Sequence, residues 1–360
     1  AHVQEPRYFS LSEHMDLDAF TISSLELVKP LREGSGKSTL LHALDAASTS
    51  MGRRRLRRMI LSPLTSRSAI EERLDAVEAL VNQVRLRQQL RTIVGSIHDM
   101  ERLLGRLGSG RMRPSDLQAL LHSLDHVPQI AELLCKEEPL PSRLATVRDR
   151  LSDPATQALC SEFSGMLVDQ PPADARDGGL IRTGYDVELD ALRAEARSVR
   201  SSIAALETRE RQATGIATLK VGHNRVFGYY FEITQANLDR VPEHYHRRQT
   251  LANAERFVTE ELQQLEERVV GAEEQSKSME LKLFEEALRR LEAHLIPLQA
   301  HAEALSEIDV YLALADIAHS HSYVRPEFTE AARLVIHSGR HPVVERLEEF
   351  VPNDIHLEAD

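Results

Sequence analysis

The stretch TGIATLKVGHNRVFGYYFEIT, residues 214–234, departs from the helix-like composition of the rest of the chain. β-Branched and aromatic residues occur there at the density of strands, in the segments 216–221 and 225–234. Between them, Gly222-His223-Asn224-Arg225 has the composition of a turn, because Gly and Asn tolerate a positive φ angle. The stretch therefore predicts a small antiparallel sheet.

Helical heptad patterns flank this stretch on both sides. Upstream, apolar residues alternate at spacings of three and four, the seam of a helix packed along one partner: Leu189, Leu192, Ala196, Val199, Ile203 and Leu206. Downstream, the seam returns at Leu262, Leu265, Val269, Ala272 and Met279, then shifts phase to Leu281, Phe284, Leu288, Leu291, Leu295 and Leu298. Thr259 is the predicted cap of this helix, ahead of the acidic Glu260 and Glu261, and Pro297 predicts a bend.

The remaining sequence predicts a helical bundle. Residues 38–150 read as successive helices, with Ser115 and Gln118 as a capping box, and a further helix begins with Asp153 as cap and Pro154 as its first residue. A loop rich in Pro, Gly and Asp follows at 166–186. The predicted fold class is mainly α: a helical core bundle with long antiparallel coiled-coil helices and a small inserted antiparallel β subdomain.

Composition limits the classes of protein this chain could be. Apolar residues make up 42% of the 360 residues, aromatics only 4% and charged residues 28%. No 18 apolar residues run uninterrupted and the first residues do not resemble a signal peptide, so we expect no membrane span and a cytoplasmic location. Cys135 and Cys160 are predicted core thiols. The pairs His244/His246 and His319/His321 lack a third ligand at a suitable spacing, so no metal site is predicted.

Positive charge concentrates in the predicted β region. The chain carries a net charge of -12, yet residues 215–257 hold six Lys or Arg against four acids. Cations mixed with short polar side chains are typical of contacts to DNA phosphates. The predicted backbone-binding residues are Lys220, Asn224, Arg225, Arg247, Arg248, Thr250, Asn253 and Arg256. An ordinary sheet-to-helix connection with surface arginines explains 244–257 equally well.

Two other stretches have a nucleic-acid or nucleotide interpretation. The run RRRLRR at 53–58 has two interpretations: a patch that binds phosphates, or a helix face that is solvated or paired with a neighbouring acidic helix. We favour the second. GSGKST at 34–39 resembles a phosphate-binding loop, but Leu31 occupies the position of its first glycine. We favour a connector followed by a helix capped by Ser38 or Thr39, and a phosphate-loop hydrolase that uses Lys37 remains the less favoured alternative.

Collinear motifs resemble the MutS family of DNA mismatch-recognition ATPases over nearly the whole chain. They are LLHALDAASTSMGRRRLRRMILSPL at 40–64, GGLIRTGYDVELDALR at 178–193, the opening stretch at 214–234, RRQTLANAERFVTEEL at 247–262, YVRPEF at 323–328, GRHPVVE at 339–345 and FVPNDI at 350–355. Departures are small: Met59 stands where many members have Trp, and Arg54-Arg55 replaces a commoner Arg-Leu. GSGKST falls where the family has a variable loop.

The resemblance implies a modular organisation and function. Residues 1–205 would be the helical core and first lever helix, 206–260 the DNA clamp, 261–325 the returning lever and 326–360 the start of a truncated ATPase domain. We expect a fragment of a homodimeric parent that binds double-stranded DNA, ATP, Mg²⁺ and a MutL-type partner. The fragment itself should bind no cofactor and be inactive alone, because the family's Walker motifs lie beyond it. Phe350, Val351 and Asn353 would contact nucleotide in the parent.

A non-enzymatic scaffold is the other alternative. The arms of chromosome-organising proteins also place a globule between antiparallel helices. Those arms would be matched in length, whereas the downstream seam here outlasts the upstream one.

Overall fold

A computed structural model describes residues 13–31, 38–224 and 226–358. The helices are α1 Ala19–Ser24, α2 Leu40–Leu44, α3 Ser50–Leu61, α4 Arg67–Asn82, α5 Val84–Ser96, α6 Met100–Gly108, α7 Pro114–Cys135, α8 Ser142–Leu151, α9 Pro154–Phe163, α10 Val187–Thr214, α11 Glu260–Ala293 and α12 Leu295–His321. The strands are β1 Lys220–Asn224, β2 Gly228–Thr234, β3 His246–Thr250, β4 Ala254–Val258, β5 Arg333–Gly339 and β6 Asn353–Glu358. This confirms the predicted fold class.

The chain divides into two compact units. The helical unit comprises the described parts of residues 1–112, 116–164 and 290–360. The sheet-bearing unit comprises residues 113–115 and the described parts of 165–289. No helix in the described ranges combines the length and the apolar character that crossing a membrane requires.

Helix α12 is the centre of the helical unit. Its residues from Ala302 to Ala315 are nearly all buried, and α3, α4, α5, α6 and α8 pack around it. A helix that is apolar on all sides is stable only when neighbours cover every face. The segment VYLALAD, 310–316, is accordingly helical, as its apolar spacing predicts.

The acidic side chains of α12 are all engaged by surrounding helices. Glu307 accepts a hydrogen bond from Arg55 at 2.7 Å, and Asp316 lies 2.8 Å from Arg87. Asp309 is fully buried and accepts from the backbone N–H groups of Ser48 and Thr49 at 2.9 and 2.8 Å. Asp309 therefore supplies a negative charge at the N-terminus of α3, where the helix dipole favours it.

Several helix starts follow the predicted signals, and one does not. Thr39 caps α2 and Asp153 caps α9, each accepting a hydrogen bond from a backbone N–H of the first turn. The predicted cap Ser115 is wrong, because α7 begins at Pro114 and places Ser115 inside the first turn. Proline suits the first helical position, since its φ is already helical and its missing N–H would be unpaired there.

The arginine run of α3 faces acidic neighbours. Arg54 donates to Asp99 at 2.7 Å and to Glu101 at 2.7 Å, and Arg53 lies 3.6 Å from Asp45. For these arginines the structure agrees with the interpretation of a paired helix face.

The two cysteines differ in their surroundings. Cys160 is buried, as predicted, but Cys135 is exposed at the last residue of α7, so its prediction as a core thiol is wrong. At the end of a helix, neighbouring elements no longer cover the apolar face, so a residue on that face can be exposed.

The long downstream seam forms two helices rather than one bent helix. Helix α11 ends at Ala293, and α12 begins at Leu295. Pro297 explains the position of the break, because proline has no N–H for the carbonyl four residues earlier, that of Ala293, and its ring clashes with it. The interruption therefore lies three to four residues before the proline.

Helices α10 and α11 pair in antiparallel register. Four ion pairs between described residues join them, and three run in reverse order along the chain: Arg193–Glu280, Arg200–Glu273 and Arg209–Glu261. The fourth is Glu195–Arg268. The predicted seam residues Leu189, Ala196, Val199, Ile203 and Leu206 are all buried in α10, and Leu192 is partly covered. The heptad interpretation is confirmed.

Strands β1 to β4 form an antiparallel sheet in the order β1-β2-β4-β3. The predicted first strand and turn are displaced, because Gly222, His223 and Asn224 belong to β1 and the turn lies between Asn224 and Gly228. Gly228 has a φ of +70°, so the positive φ is adopted there. Residues 246–258 form the hairpin β3–β4, so the alternative that this segment is only a sheet-to-helix connection is wrong.

Candidate nucleic-acid interface

One face of the sheet packs against α10 and α11. The buried side chains of this core are Val199, Ile203 and Leu206 of α10, Leu262 and Val269 of α11, and Ile216, Leu219, Phe231, Ile233, Tyr245 and Phe257 of the sheet region. A small sheet is only marginally stable by itself. Its order therefore depends on the helix pair beneath it.

Polar contacts fix the sheet to the last two turns of α10. Glu207 accepts from the backbone N–H of Val221 at 2.9 Å, and Arg211 donates to the carbonyl of Leu219 at 3.0 Å. The Tyr245 hydroxyl donates to Glu210 at 2.8 Å. Burial, followed by the adjacent Glu210 carboxylate, raises the pKa of Tyr245, so the phenol keeps its proton and remains a donor at neutral pH.

The opposite face of the sheet carries a polar row that crosses all four strands. Lys220, Glu232, Arg256 and Gln249 are direct partners in the strand register. The Lys220 ammonium lies 3.2 Å from Glu232, and the Arg256 guanidinium lies 3.5 Å from Glu232 and donates to Gln249 at 2.8 Å. The charges alternate along the row, so its members attract one another.

Arg256 is a structural member of this row. Its side chain is only 17% exposed, and its guanidinium lies 4.2 Å from the centre of the Tyr230 ring. The ring in turn covers Gly222, where a Cβ atom would come within 2.7 Å of it. Arg256 is thus held by an anion, an amide and an aromatic face, so few of its N–H groups are available to a ligand.

The exposed cations lie on the two edge strands. Lys220 of β1 and Arg247 of β3 have side chains 64% and 63% exposed. Arg247 lies 3.2 Å from Glu255, and the register shifts between Arg247 and Gln249, so that Arg248 is an extra, exposed residue. Three inter-strand spacings separate the edges, about 14 Å. The sheet therefore offers positive charge at both margins.

The short polar residues lie near the turns. The Asn224 side chain accepts from the backbone N–H of Val226 at 2.8 Å and so shapes the β1–β2 turn. Thr250, the last residue of β3, and Asn253, within the β3–β4 turn, are exposed. Arg225, also a predicted site residue, lies outside the described residues.

Sequence reasoning did not select three exposed residues of this region. Val226 and Phe227 lie in the β1–β2 turn with 80% and 36% exposure, and were assigned to the interior of a strand. Arg240 ends the short 3₁₀ helix Gln235–Arg240 and is exposed. Arg240 was counted among the six cations of residues 215–257, but its sequence neighbours do not distinguish it from an ordinary surface arginine.

The predicted nucleotide contacts belong to the helical unit. Phe350 is half-buried, Val351 is 74% exposed, and the Asn353 amide donates to the carbonyl of Val351 at 3.0 Å. Asn353 begins β6, which pairs with β5. Lys37, the residue required by the hydrolase alternative, lies outside the described residues.

Comparison with known proteins identifies similar sequences over the whole chain. The model of the family described as MutS domain III matches residues 20–315. A DNA mismatch repair protein MutS from Desulforamulus reducens is 43% identical over 361 residues, which is 99% of this chain and 41% of the relative. Proteins with the same name from Salinibacter ruber and Solibacter usitatus are 40% and 42% identical over 100% and 99% of this chain. The chain spans about two fifths of the length of these relatives.

Proposed function

Because this chain belongs to the MutS family of DNA mismatch-repair proteins, we propose that its four-stranded sheet binds the backbone of duplex DNA without reading the base sequence. The observation that carries the proposal is the placement of exposed cations on both edge strands of a sheet that is fixed to a helix pair. Phosphates of a duplex repeat every few Å along both strands, so two separated cationic margins contact them without requiring a particular base.

The ion pairs of these cations do not oppose the proposal. Lys220 and Arg247 pair with Glu232 and Glu255 while remaining more than 60% exposed. The Lys220–Glu232 pair is partly exposed on both sides and contributes only about 0–1 kcal/mol, so a phosphate competes with this carboxylate at little cost. Glu255 is buried, so Arg247 would keep its pair with Glu255 and offer its remaining N–H groups to a phosphate. A cationic edge strand also has a purely protective role against sheet-to-sheet association, and the experiment below separates the two roles.

We divide the candidate residues by accessibility. Lys220, Arg247 and Arg248 are proposed as direct phosphate contacts, with Asn224, Thr250 and Asn253 as hydrogen-bonding partners. Arg225 keeps its proposed role on the strength of its sequence position alone. Arg256 is proposed to support the sheet from its place in the polar row.

For the parent protein we propose the organisation that the family resemblance implies. Residues 1–205 act as core and first lever, 206–260 as the clamp, 261–325 as the returning lever and 326–360 as the start of an ATPase domain. The parent would be a cytoplasmic homodimer that uses ATP and Mg²⁺, engages a MutL-type partner and transmits nucleotide-driven motion to the clamp. Phe350, Val351 and Asn353 would contact the nucleotide there.

Excision of the sheet tests the proposal. Residues 216–258 would be replaced by a short Gly-Ser linker that joins α10 to α11, and circular dichroism would verify that the helices remain. Fluorescence anisotropy with a labelled duplex should give the intact chain a Kd of about 10⁻⁴ to 10⁻⁶ M, the range of non-specific binding, and the excised chain no measurable binding. Equal affinity of the two chains would refute the role of the sheet.

A further inference from the structure

Arginines and glutamates make up half of the residues that line a cavity of about 630 Å³ in the helical unit. Five arginines from α3, α4 and α8 line it: Arg55, Arg58, Arg73, Arg143 and Arg150. Three glutamates, Glu101, Glu303 and Glu307, share the lining. The volume is in the range of about 300–1,000 Å³ that is usual for small-ligand sites.

The carboxylates do not compensate all five arginines. Glu307 pairs with Arg55 at 2.7 Å, and Glu303 lies 4.0 Å from Arg150. Glu101 is engaged by Arg54, which lies outside the lining.

Two arginines of the lining, the exposed Arg58 and the half-buried Arg73, therefore have no ion-pair partner among the described residues. Arg143 is compensated from outside the cavity, since Glu72 lies 3.0 Å from it. Within the described parts of the chain, Arg58 and Arg73 have no carboxylate oxygen within 4.0 Å. The cavity thus combines two unpaired cations from neighbouring helices with three paired ones.

Arg73 is partly buried and lies among like charges. Burial lowers the pKa of its guanidinium most, Tyr311 and Glu307 act against this, and the like charges of Arg143 and Arg55 lower it further. A guanidinium nevertheless stays charged at neutral pH, so Arg73 holds a partly desolvated positive charge close to two others. A bound anion would supply the opposite charge that this arrangement lacks.

The composition of the lining indicates the class of anion. The planar fork of arginine matches phosphate oxygens bidentately. No Phe, Tyr or Trp side chain is among the described residues that line the cavity, and His14 supplies the one ring among them, so the lining offers little surface for stacking on a base. A single cavity of this size accommodates a compact ligand rather than the spaced phosphates of a duplex.

We propose that the five-arginine cavity is a binding site for a small, phosphate-rich anion, with Arg58 and Arg73 as its principal contacts. Inorganic pyrophosphate is the probe. Isothermal titration of the 360-residue chain, with the ionic strength held constant by NaCl, should show saturable binding to one site.

Substitution separates this site from general attraction of anions. Arg58→Gln and Arg73→Gln should each weaken pyrophosphate binding about tenfold, the effect of losing one charge-assisted hydrogen bond. Arg57→Gln is the matched control, an exposed arginine of the same helix outside the cavity lining. Equal losses in all three variants, or no saturable binding by the unaltered chain, would overturn the proposal.

Chemical modification of the unaltered chain tests the same site without depending on the folding of a variant. Phenylglyoxal modifies accessible arginines, and mass spectrometry locates the modified residues. Pyrophosphate should protect Arg58 and Arg73 and leave Arg57 reactive. Unchanged modification of Arg58 and Arg73 would contradict the proposal, as would a duplex that displaces pyrophosphate from the cavity, because nucleic acid would then be the ligand.

Discussion

Gly52 is required because α12 places a buried carboxylate against the first turn of α3. A Cβ atom at position 52 would lie 2.1 Å from Asp309 Oδ2. Asp309 has little freedom to move away, since Ser48 and Thr49 both donate to it. We expect Gly52→Ala to lower the free energy of unfolding by about 1–3 kcal/mol, the usual cost of overpacking.

Gly105→Ala is the matched control for this substitution. Gly105 also lies inside a helix of the helical unit, but nothing is within 4 Å of its added Cβ atom. Alanine there should stabilise the unit by about 0.5–1 kcal/mol, because it reduces the entropy lost on folding. Urea unfolding followed by circular dichroism measures both, and effects of the same sign would contradict the steric explanation.

The two thiols should differ in reactivity. Burial, with a smaller contribution from Asp125, raises the pKa of Cys160 from 9.0 to about 12, whereas Cys135 is exposed. Only the thiolate reacts, so folded Cys160 should remain unlabelled up to pH 9, while the exposed Cys135 is labelled. Titration with Ellman's reagent should detect one thiol in the folded chain and two in denaturant. Rapid labelling of both at pH 9 would show that Cys160 is accessible.

The contacts of individual buried side chains, such as those of Asp309, could not be predicted from the sequence. The residues that meet at Asp309 are separated by about 260 positions, and the sequence contains no local signal that pairs them. Caps such as Thr39 and Asp153 were predictable, because each one satisfies an N–H group only three residues away.

Glu280 determines how the 166–186 loop is attached to the α10–α11 pair. Its buried carboxylate accepts from the backbone N–H of Leu180 at 2.7 Å and from Arg193 at 2.8 Å. Removal of this carboxylate leaves the Leu180 N–H unpaired and Arg193 with only Asp190, 3.6 Å away, as an anionic partner in the described ranges, at a cost of about 1–3 kcal/mol. Glu280→Ala should lower the free energy of unfolding by that amount.

Glu274→Ala serves as the control, since Glu274 is exposed on the same helix. Its effect should stay within about 0.5 kcal/mol in the same urea titration. A loss of less than 1 kcal/mol for Glu280→Ala would mean that the loop is held by other contacts.

Helices and strands could be predicted from the sequence only where the residues that define them lie close together along the chain. The seam of α10 was predictable because residues three and four apart share a helix face. Strand β3 was missed because HRRQT has no apolar alternation, and as an edge strand it needs none. The first turn was displaced because Gly222 serves strand packing against Tyr230 rather than a bend.

For the whole molecule, the sequence identified where positive charge concentrates but not which cations are available. Lys220, Arg247 and Arg256 look equivalent in the sequence, yet Arg256 is mostly covered while the other two are exposed. The difference arises from strand order, which places Arg256 on a central strand and the others on the edges. Strand order results from long-range pairing, so charge counting cannot supply it.

The family assignment and the binding mechanism rest on different observations. Identity of 40–43% over nearly the whole chain establishes membership of the MutS family. Binding of DNA by the sheet rests on the exposure of its edge cations, and it requires a direct measurement.

The most direct measurement is the salt dependence of duplex binding. A chain that carries Lys220→Gln, Arg247→Gln and Arg248→Gln would be compared with the unaltered chain by anisotropy at several NaCl concentrations. Arg176→Gln is the control, because Arg176 is a highly exposed arginine of the same unit outside the sheet. The slope of log K against log salt should become shallower by about 1 for each cation removed from the sheet, and should be unchanged in the control. An equal slope in the triple variant and the unaltered chain would show that these cations do not contact DNA phosphates.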